Sequence, residues 1–147
     1  MLFRSLATAE SCTGGLIANF ITNAPGASEI FLGGYVTYAN NAKSDLLNVA
    51  PKLIEKHGAV SEQVACAMAE GARARATSTY GVATTGIAGP SGGSDQKPVG
   101  TVYIALASEE SETIAKRFFF PTDRATFKQL AAQTALDLLR RKVIARA

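Results

Sequence analysis

Several residue types that mark particular functional classes are scarce in this sequence. Its 147 residues include no tryptophan, one histidine and two cysteines. Cys12 and Cys66 lie in unlike contexts, so neither a disulfide framework nor a zinc site is indicated, and His57 alone cannot form a metal cluster. We therefore expect a protein that uses no metal and no other cofactor.

A strong charge bias and long apolar runs are also lacking. The net charge is +3, and the basic residues are scattered until Arg140-Arg141-Lys142, which is typical of a solvated helix end. The sequence lacks the interleaved basic and aromatic residues that are typical of a nucleic-acid binder. No apolar run approaches the ~20 residues that cross a bilayer, and no signal-peptide pattern is present. We expect a cytoplasmic protein with neither nucleic acid nor membrane as a partner.

The apolar pattern predicts one α/β domain that spans residues 1–147, since a chain of this length can bury roughly 70% of its extended surface. Strands are predicted at 2–9, 35–38, 80–85, 101–107 and 113–120, and helices at 13–22, 40–47, 51–56, 61–76 and 124–143. The inward residues predicted for the last helix are Phe127, Leu130, Ala131, Thr134 and Leu138. Strands that alternate with helices, with one hairpin, indicate a three-layer α/β/α sandwich with a mixed, mostly parallel sheet.

A glycine-rich turn, Glu10-Ser11-Cys12-Thr13-Gly14-Gly15, follows the first predicted strand. Backbone N–H groups at a helix start can stabilise an oxyanion or bind a phosphate. Ser11 is either a nucleophile or a helix N-cap, and the glycine pair favours close approach of a ligand to the backbone. Cys12 is the competing nucleophile, but it has no basic partner, and we interpret it as a small buried residue.

Lys43 is predicted in the first turn of the second helix, where the helix dipole disfavours its charged form. Partial burial acts in the same direction, and a neutral amine can serve as a general base. The alternative is a solvated lysine. Tyr38 lies at a predicted strand end five residues earlier, where it either hydrogen-bonds a reacting group or packs in the core.

A second glycine-rich segment, Thr85-Gly86-Ile87-Ala88-Gly89-Pro90-Ser91-Gly92-Gly93, follows another predicted strand. It has neither the lysine of a P-loop nor the spacing of a dinucleotide fingerprint. Its apolar residues favour a shaped backbone wall over a mobile turn. Arg124 begins the last helix, where a cation is unfavourable unless Asp123 or an anionic ligand neutralises it. The two turns together predict one small-molecule site.

Several motifs, in order, resemble those of the CinA C-terminal domain family, whose characterised members are nicotinamide-nucleotide amidases. The matching segments are Thr8-Ala9-Glu10-Ser11-Cys12-Thr13-Gly14-Gly15, Gly34-Tyr35-Val36-Thr37-Tyr38-Ala39-Asn40-Asn41-Ala42-Lys43, His57-Gly58-Ala59-Val60-Ser61, the second glycine-rich segment and Lys97-Pro98-Val99-Gly100-Thr101. The resemblance implies a three-layer α/β domain and hydrolysis of the carboxamide of nicotinamide mononucleotide to nicotinic acid mononucleotide and ammonia.

The resemblance also implies a Ser–Lys mechanism in which Ser11 attacks, Lys43 accepts its proton and Tyr38 positions or relays. Such pairs are a known alternative to histidine-containing triads. The substrate contacts that it implies are Thr13, Gly14, Thr85, Gly86, Ala88, Gly89 and Arg124.

Two departures from the family pattern leave alternatives open. Asn41 stands where family members commonly have an acidic residue, and a helix that usually precedes the first strand is missing. These favour, as the runner-up, a nucleotide-binding module without turnover; a purely structural or partner-binding domain is the third reading. An uncovered first strand also predicts self-association, so we expect a homo-oligomer that binds a small nucleotide.

Overall fold

A computed structural model describes residues 4–145 of the chain. Five strands and five helices succeed one another along it, with a short 3₁₀ turn at Ala27–Glu29. The strands are β1 (Leu6–Glu10), β2 (Phe31–Val36), β3 (Tyr80–Gly86), β4 (Thr101–Ser108) and β5 (Ile114–Phe119). The helices are α1 (Leu16–Thr22), α2 (Asn40–Leu47), α3 (Pro51–His57), α4 (Glu62–Ala76) and α5 (Arg124–Ile144).

The strands form one sheet in the order β2-β1-β3-β4-β5. β1 pairs in parallel with both β2 and β3, whereas β3–β4 and β4–β5 are antiparallel. The sheet is therefore mixed, as predicted. Only β4 runs in the opposite direction to the other four strands. Because β4 pairs with β3 on one side and with β5, its partner in the predicted hairpin, on the other, two of the four strand pairings are antiparallel.

Helices cover both faces of the sheet, which confirms the three-layer sandwich. On one face α1 and α5 pack on β-strand side chains that include Leu6, Val82 and Ile104. On the other face α4, with residues from the α2 region, packs on the alanines of β1, β3 and β4. Because side chains alternate along a strand, each central strand contributes to both cores. The small alanines allow α4 to lie close to the sheet.

Two element boundaries differ from the prediction for reasons that concern glycine. α1 begins at Leu16 rather than at residue 13, because Gly14 and Gly15 have φ values of 62° and 105° and leave the helical region. β2 begins at Phe31, whereas the prediction began at 35, because Gly33-Gly34 weakens the apolar signal. A Cβ on Gly34 would lie 2.6 Å from the Thr8 hydroxyl, so glycine is required there.

The last helix confirms the prediction in part. Phe127 and Ala131 are fully buried, and Leu130, Thr134 and Leu138 are only half-buried. Ala132 and Ala135 are the buried residues that the prediction omitted. Within residues 4–145, none of the helices combines the length and the apolar character that a bilayer crossing requires. The part of the predicted first strand that falls at residues 2–3 lies outside the described residues.

Candidate active site

The side chains of Ser11 and Lys43 meet below the surface, although 32 residues separate them in sequence. Lys43 Nζ lies 3.1 Å from Ser11 Oγ. It also donates to the backbone oxygens of Thr37, at 2.8 Å, and Tyr38, at 3.2 Å. Only 1% of Lys43 and 9% of Ser11 is exposed. The amine is therefore fixed by two carbonyls and faces the serine hydroxyl.

The sheet register produces this contact. Ser11 directly follows β1, and its N–H donates to the Thr84 oxygen of β3 at 3.0 Å. On the other side of β1, the N–H of Thr37 donates to the Glu10 oxygen at 2.9 Å. Both hydrogen bonds extend the parallel ladders past the ends of the strands. The chain then turns into α2, whose fourth residue is Lys43, so the amine returns towards the end of β1.

Burial gives Lys43 its chemical character. Desolvation lowers the pKa of its amine below the usual 10.5, because burial disfavours the charged form. No carboxylate forms an ion pair with Lys43 in the part of the chain that the structure describes. A neutral amine has two N–H donors and one lone pair. If the Thr37 and Tyr38 carbonyls take the two donors, the lone pair faces the Ser11 hydroxyl and can accept its proton.

Glu10 is a structural part of the site to which the sequence analysis gave no role. Its carboxylate is 1% exposed and accepts hydrogen bonds from the Thr13 hydroxyl at 2.6 Å and from the N–H groups of Ile17 and Ala18 at 2.8 and 3.1 Å. The Glu10 side chain, seven residues before Ile17, thus caps the amino end of α1. An acidic residue at the end of an apolar strand is the signal that could have indicated this role.

The turn after Ser11 holds two of the predicted ligand contacts, Thr13 and Gly14. The Gly14 N–H donates to the Ser11 oxygen at 3.1 Å. The N–H groups of Cys12 and Thr13 donate to no backbone oxygen among residues 4–145. The Thr13 side chain is tied to Glu10 and, at 2.8 Å, to the Thr84 hydroxyl. Of the two predicted contacts, Thr13 is therefore the one whose N–H donates to no backbone oxygen among residues 4–145.

Cys12 is buried, with 5% of its surface exposed. Desolvation raises the pKa of its thiol from 9.0 to about 12. Because the thiolate is the nucleophilic form, this thiol is unreactive at neutral pH. Of the two side chains, the Ser11 hydroxyl is the one that lies within hydrogen-bond reach of the Lys43 amine.

Tyr38 and Arg124 meet at the rim of the site. Tyr38 is 61% exposed, and its hydroxyl accepts a hydrogen bond from Arg124 Nη2 at 3.0 Å. Arg124 Nη1 donates to the Gly89 oxygen at 2.7 Å. The Tyr38 backbone oxygen, rather than its ring, contacts Lys43. Asp123 caps α5 through the Thr126 N–H at 2.9 Å, and no ion pair joins it to Arg124 within residues 4–145.

The second glycine-rich segment packs closely against the start of β4 and the residues before it, and Ile87 exchanges backbone hydrogen bonds with Gly100 and Thr101. A Cβ on Gly86 would lie 2.7 Å from the Thr101 oxygen, and one on Gly89 would collide with a methyl group of Val99. Ala88 is buried. The Thr85 hydroxyl donates to the Ala59 oxygen at 2.8 Å, so Thr85 joins the wall to the segment before α4.

Within residues 4–145, no three His, Cys, Asp or Glu side chains cluster in an arrangement that could hold a metal ion.

The sequence is similar to a known protein family and to several curated proteins. Residues 3–143 match the family model described as the CinA C-terminal domain. A CinA-like protein of Acidobacterium capsulatum is 52% identical over 140 residues, which cover 95% of this chain and 34% of that protein. A CinA-like protein of Geotalea daltonii is 52% identical over 142 residues, which cover 97% and 34%. The chain spans about a third of the length of these curated relatives.

Solved structures share the fold closely. The crystal structure of a competence/damage inducible protein from Agrobacterium tumefaciens has a TM-score of 0.92 and 41% identity, with 95% of this chain and 85% of that chain covered. A competence damage-inducible protein from Klebsiella pneumoniae gives a TM-score of 0.92 at 35% identity, with 97% and 88% covered.

Proposed function

The chain belongs to the CinA C-terminal domain family, and from this premise we propose that it is a nicotinamide-nucleotide amidase. Its reaction is hydrolysis of the carboxamide of nicotinamide mononucleotide to nicotinic acid mononucleotide and ammonia. The resemblance of its motifs to those of characterised family members supports the choice of substrate. The chemistry is supported by one observation, the 3.1 Å contact between Ser11 Oγ and the buried amine of Lys43.

In the first half of the proposed reaction, Ser11 Oγ attacks the carboxamide carbon and its proton passes to Lys43 Nζ. Proton transfer requires hydrogen-bond reach and an amine that is uncharged before the attack. Burial, which lowers the pKa of Lys43, supports the second requirement. The carbonyls of Thr37 and Tyr38 hold the amine in place and stabilise the ammonium that forms.

The tetrahedral intermediate carries a negative charge on the former carbonyl oxygen. The N–H groups of Cys12 and Thr13 follow Ser11 in the turn and donate to no backbone oxygen among residues 4–145, and they are the donors that we assign to this oxygen. Lys43 then returns its proton to the leaving nitrogen. The carbon–nitrogen bond breaks, ammonia leaves, and an ester remains on Ser11.

In the second half, a water molecule attacks the ester carbon while Lys43 accepts its proton. The bond to Ser11 breaks, the serine recovers the proton from Lys43, and the carboxylic acid is released. The arrangement needs no histidine and no metal ion, because one amine serves as base and then as acid in both halves.

The runner-up, a nucleotide-binding module without turnover, was favoured partly by Asn41. This residue is exposed on α2, whereas Lys43 on the same helix is buried, and the contacts of the amine do not involve it. An amide in place of an acid at this position thus leaves the Ser–Lys contact intact. This geometry supports the enzyme over the binding module.

Release of ammonia from nicotinamide mononucleotide tests the proposal directly. We expect one ammonia for each nicotinic acid mononucleotide, and a Ser11→Ala variant that binds the substrate but turns over at least ~10³-fold more slowly. Ser28→Ala alters an exposed serine and serves as the matched control. Binding by the wild-type protein without ammonia would support the binding module, and loss of activity in Cys12→Ala alone would mean that the nucleophile is misassigned.

A further inference from the structure

The amino end of α1 is closed to an anionic ligand, although helix starts commonly bind phosphate. Each of its first four N–H groups already has an acceptor in the protein. Those of Leu16 and Asn19 donate to the oxygens of Thr13 and Gly15, and those of Ile17 and Ala18 donate to the Glu10 carboxylate. The negative charge of Glu10 opposes a second anion at this position. A negatively charged ligand group must therefore be bound by side chains.

Lys128 is placed to supply that binding. It lies one turn after Arg124 on α5, and its Nζ is 3.7 Å from the point that a Cβ on Gly14 would occupy. The amine thus lies directly over the backbone of the serine turn. Lys128 forms no ion pair with a carboxylate among residues 4–145, so no neighbouring acid neutralises its charge.

Arg124 is less free to bind a ligand than its position in the sequence suggested. One terminal nitrogen donates to the Gly89 oxygen and the other donates to the Tyr38 hydroxyl. These bonds join α5 to the glycine-rich wall and to the segment before α2. We interpret Arg124 as a residue that shapes the rim and adds positive charge with its three remaining N–H groups, whereas Lys128 is the cation that lies against the serine turn itself.

We propose that Lys128 binds the phosphate of the substrate and gives the site its preference for a nucleotide over a nucleoside. The assignment rests on the proposed function and names the residue that reads the phosphate. Gly14 ends a hydrogen-bonded turn that starts at Ser11, and such a turn spans at most about 7 Å between its end Cα atoms. The ammonium and the reacting serine therefore lie at opposite ends of one short turn, so a single small nucleotide can reach both.

Kinetics with two substrates test the role of Lys128. Nicotinamide riboside has the same carboxamide as nicotinamide mononucleotide and lacks the phosphate. For Lys128→Gln we expect the KM for the mononucleotide to rise about tenfold, with kcat within about twofold of wild type and riboside hydrolysis unchanged. Lys128→Arg, which keeps the charge, should retain most of the affinity. Lys52→Gln, an exposed lysine on α3, is the matched control.

An equal rise in KM for both substrates, or no rise for the mononucleotide, overturns the assignment while the amidase activity stands. Binding of ribose 5-phosphate and of ribose, measured by calorimetry, tests Lys128 independently of any amide hydrolysis. The wild-type protein should bind ribose 5-phosphate more tightly than ribose, and Lys128→Gln should lose that difference. If the two proteins bind ribose 5-phosphate equally, or neither binds it, Lys128 does not bind phosphate.

Discussion

Replacing Glu10 by glutamine tests how the serine turn is held in place. The buried carboxylate accepts three hydrogen bonds, with one oxygen shared by Thr13 and Ile17 and the other taken by Ala18. Glutamine has the same shape but presents one carbonyl oxygen as acceptor and one NH₂ group, which can only donate. Whichever way the amide is oriented, its NH₂ group faces a backbone N–H of α1, and one of the two helix bonds is lost.

The loss of stability can be estimated from the hydrogen bonds and the charge that the substitution removes. A hydrogen bond to a charged group contributes about 1.5–3 kcal/mol, and a negative charge at a helix amino end contributes about 0.3–1 kcal/mol. We therefore expect Glu10→Gln to lower the free energy of unfolding by about 2–4 kcal/mol. For a chain of this length such a loss lowers Tm by about 5–15 °C. Turnover should fall as well, because the same carboxylate fixes the Thr13 end of the serine turn.

Urea denaturation, with Tm from calorimetry, measures the change. Glu62→Gln is the matched control, because Glu62 begins α4 but is exposed, and we expect it to cost less than about 1 kcal/mol. If Glu10→Gln is as stable as the control, the carboxylate does not cap α1 as described. If stability falls but turnover in the native protein is unchanged, the cap has no influence on the serine.

Two further predictions concern ionisation. Because burial lowers the pKa of Lys43 below 10.5, kcat/KM should rise with pH through that lowered pKa. Lys43→Met should abolish both the rise and the activity. A wild-type profile of kcat/KM that rises only near pH 10.5 contradicts the assignment. Cys12→Ala should keep most of the activity. The raised pKa of Cys12, about 12 against 9.0, means that above pH 9 the unfolded chain loses a proton that the native protein retains. The free energy of unfolding of the wild-type protein should then fall above pH 9 more steeply than that of Cys12→Ala. Urea denaturation at several pH values measures both, and an equal fall in the two proteins would refute the prediction.

Much of the fold could be predicted because its signals are local. The helices predicted from 51 and from 61 are present: Pro51 opens α3, and Ser61 caps α4 through the Val64 N–H at 3.3 Å. The predicted start of β2 was wrong because one of its residues is determined by a contact with another strand. Gly34 interrupts the apolar pattern of β2 because the Thr8 side chain on the neighbouring strand leaves no space for a Cβ. A pattern read along one strand carries no information about that neighbour.

The candidate site shows the same division. The sequence by itself supplied a hydroxyl in a turn with two glycines, a residue type that permits the positive φ values found there, and an amine in the first turn of a helix. Only the tertiary structure decided that the two meet, because the parallel pairing of β1 with β2 and β3 sets where Thr37 and Ser11 lie. It also excluded water from Lys43, which local propensity cannot do. The cap from Glu10 and the bonds from Arg124 to Gly89 and Tyr38 likewise join residues that neighbouring sequence does not relate.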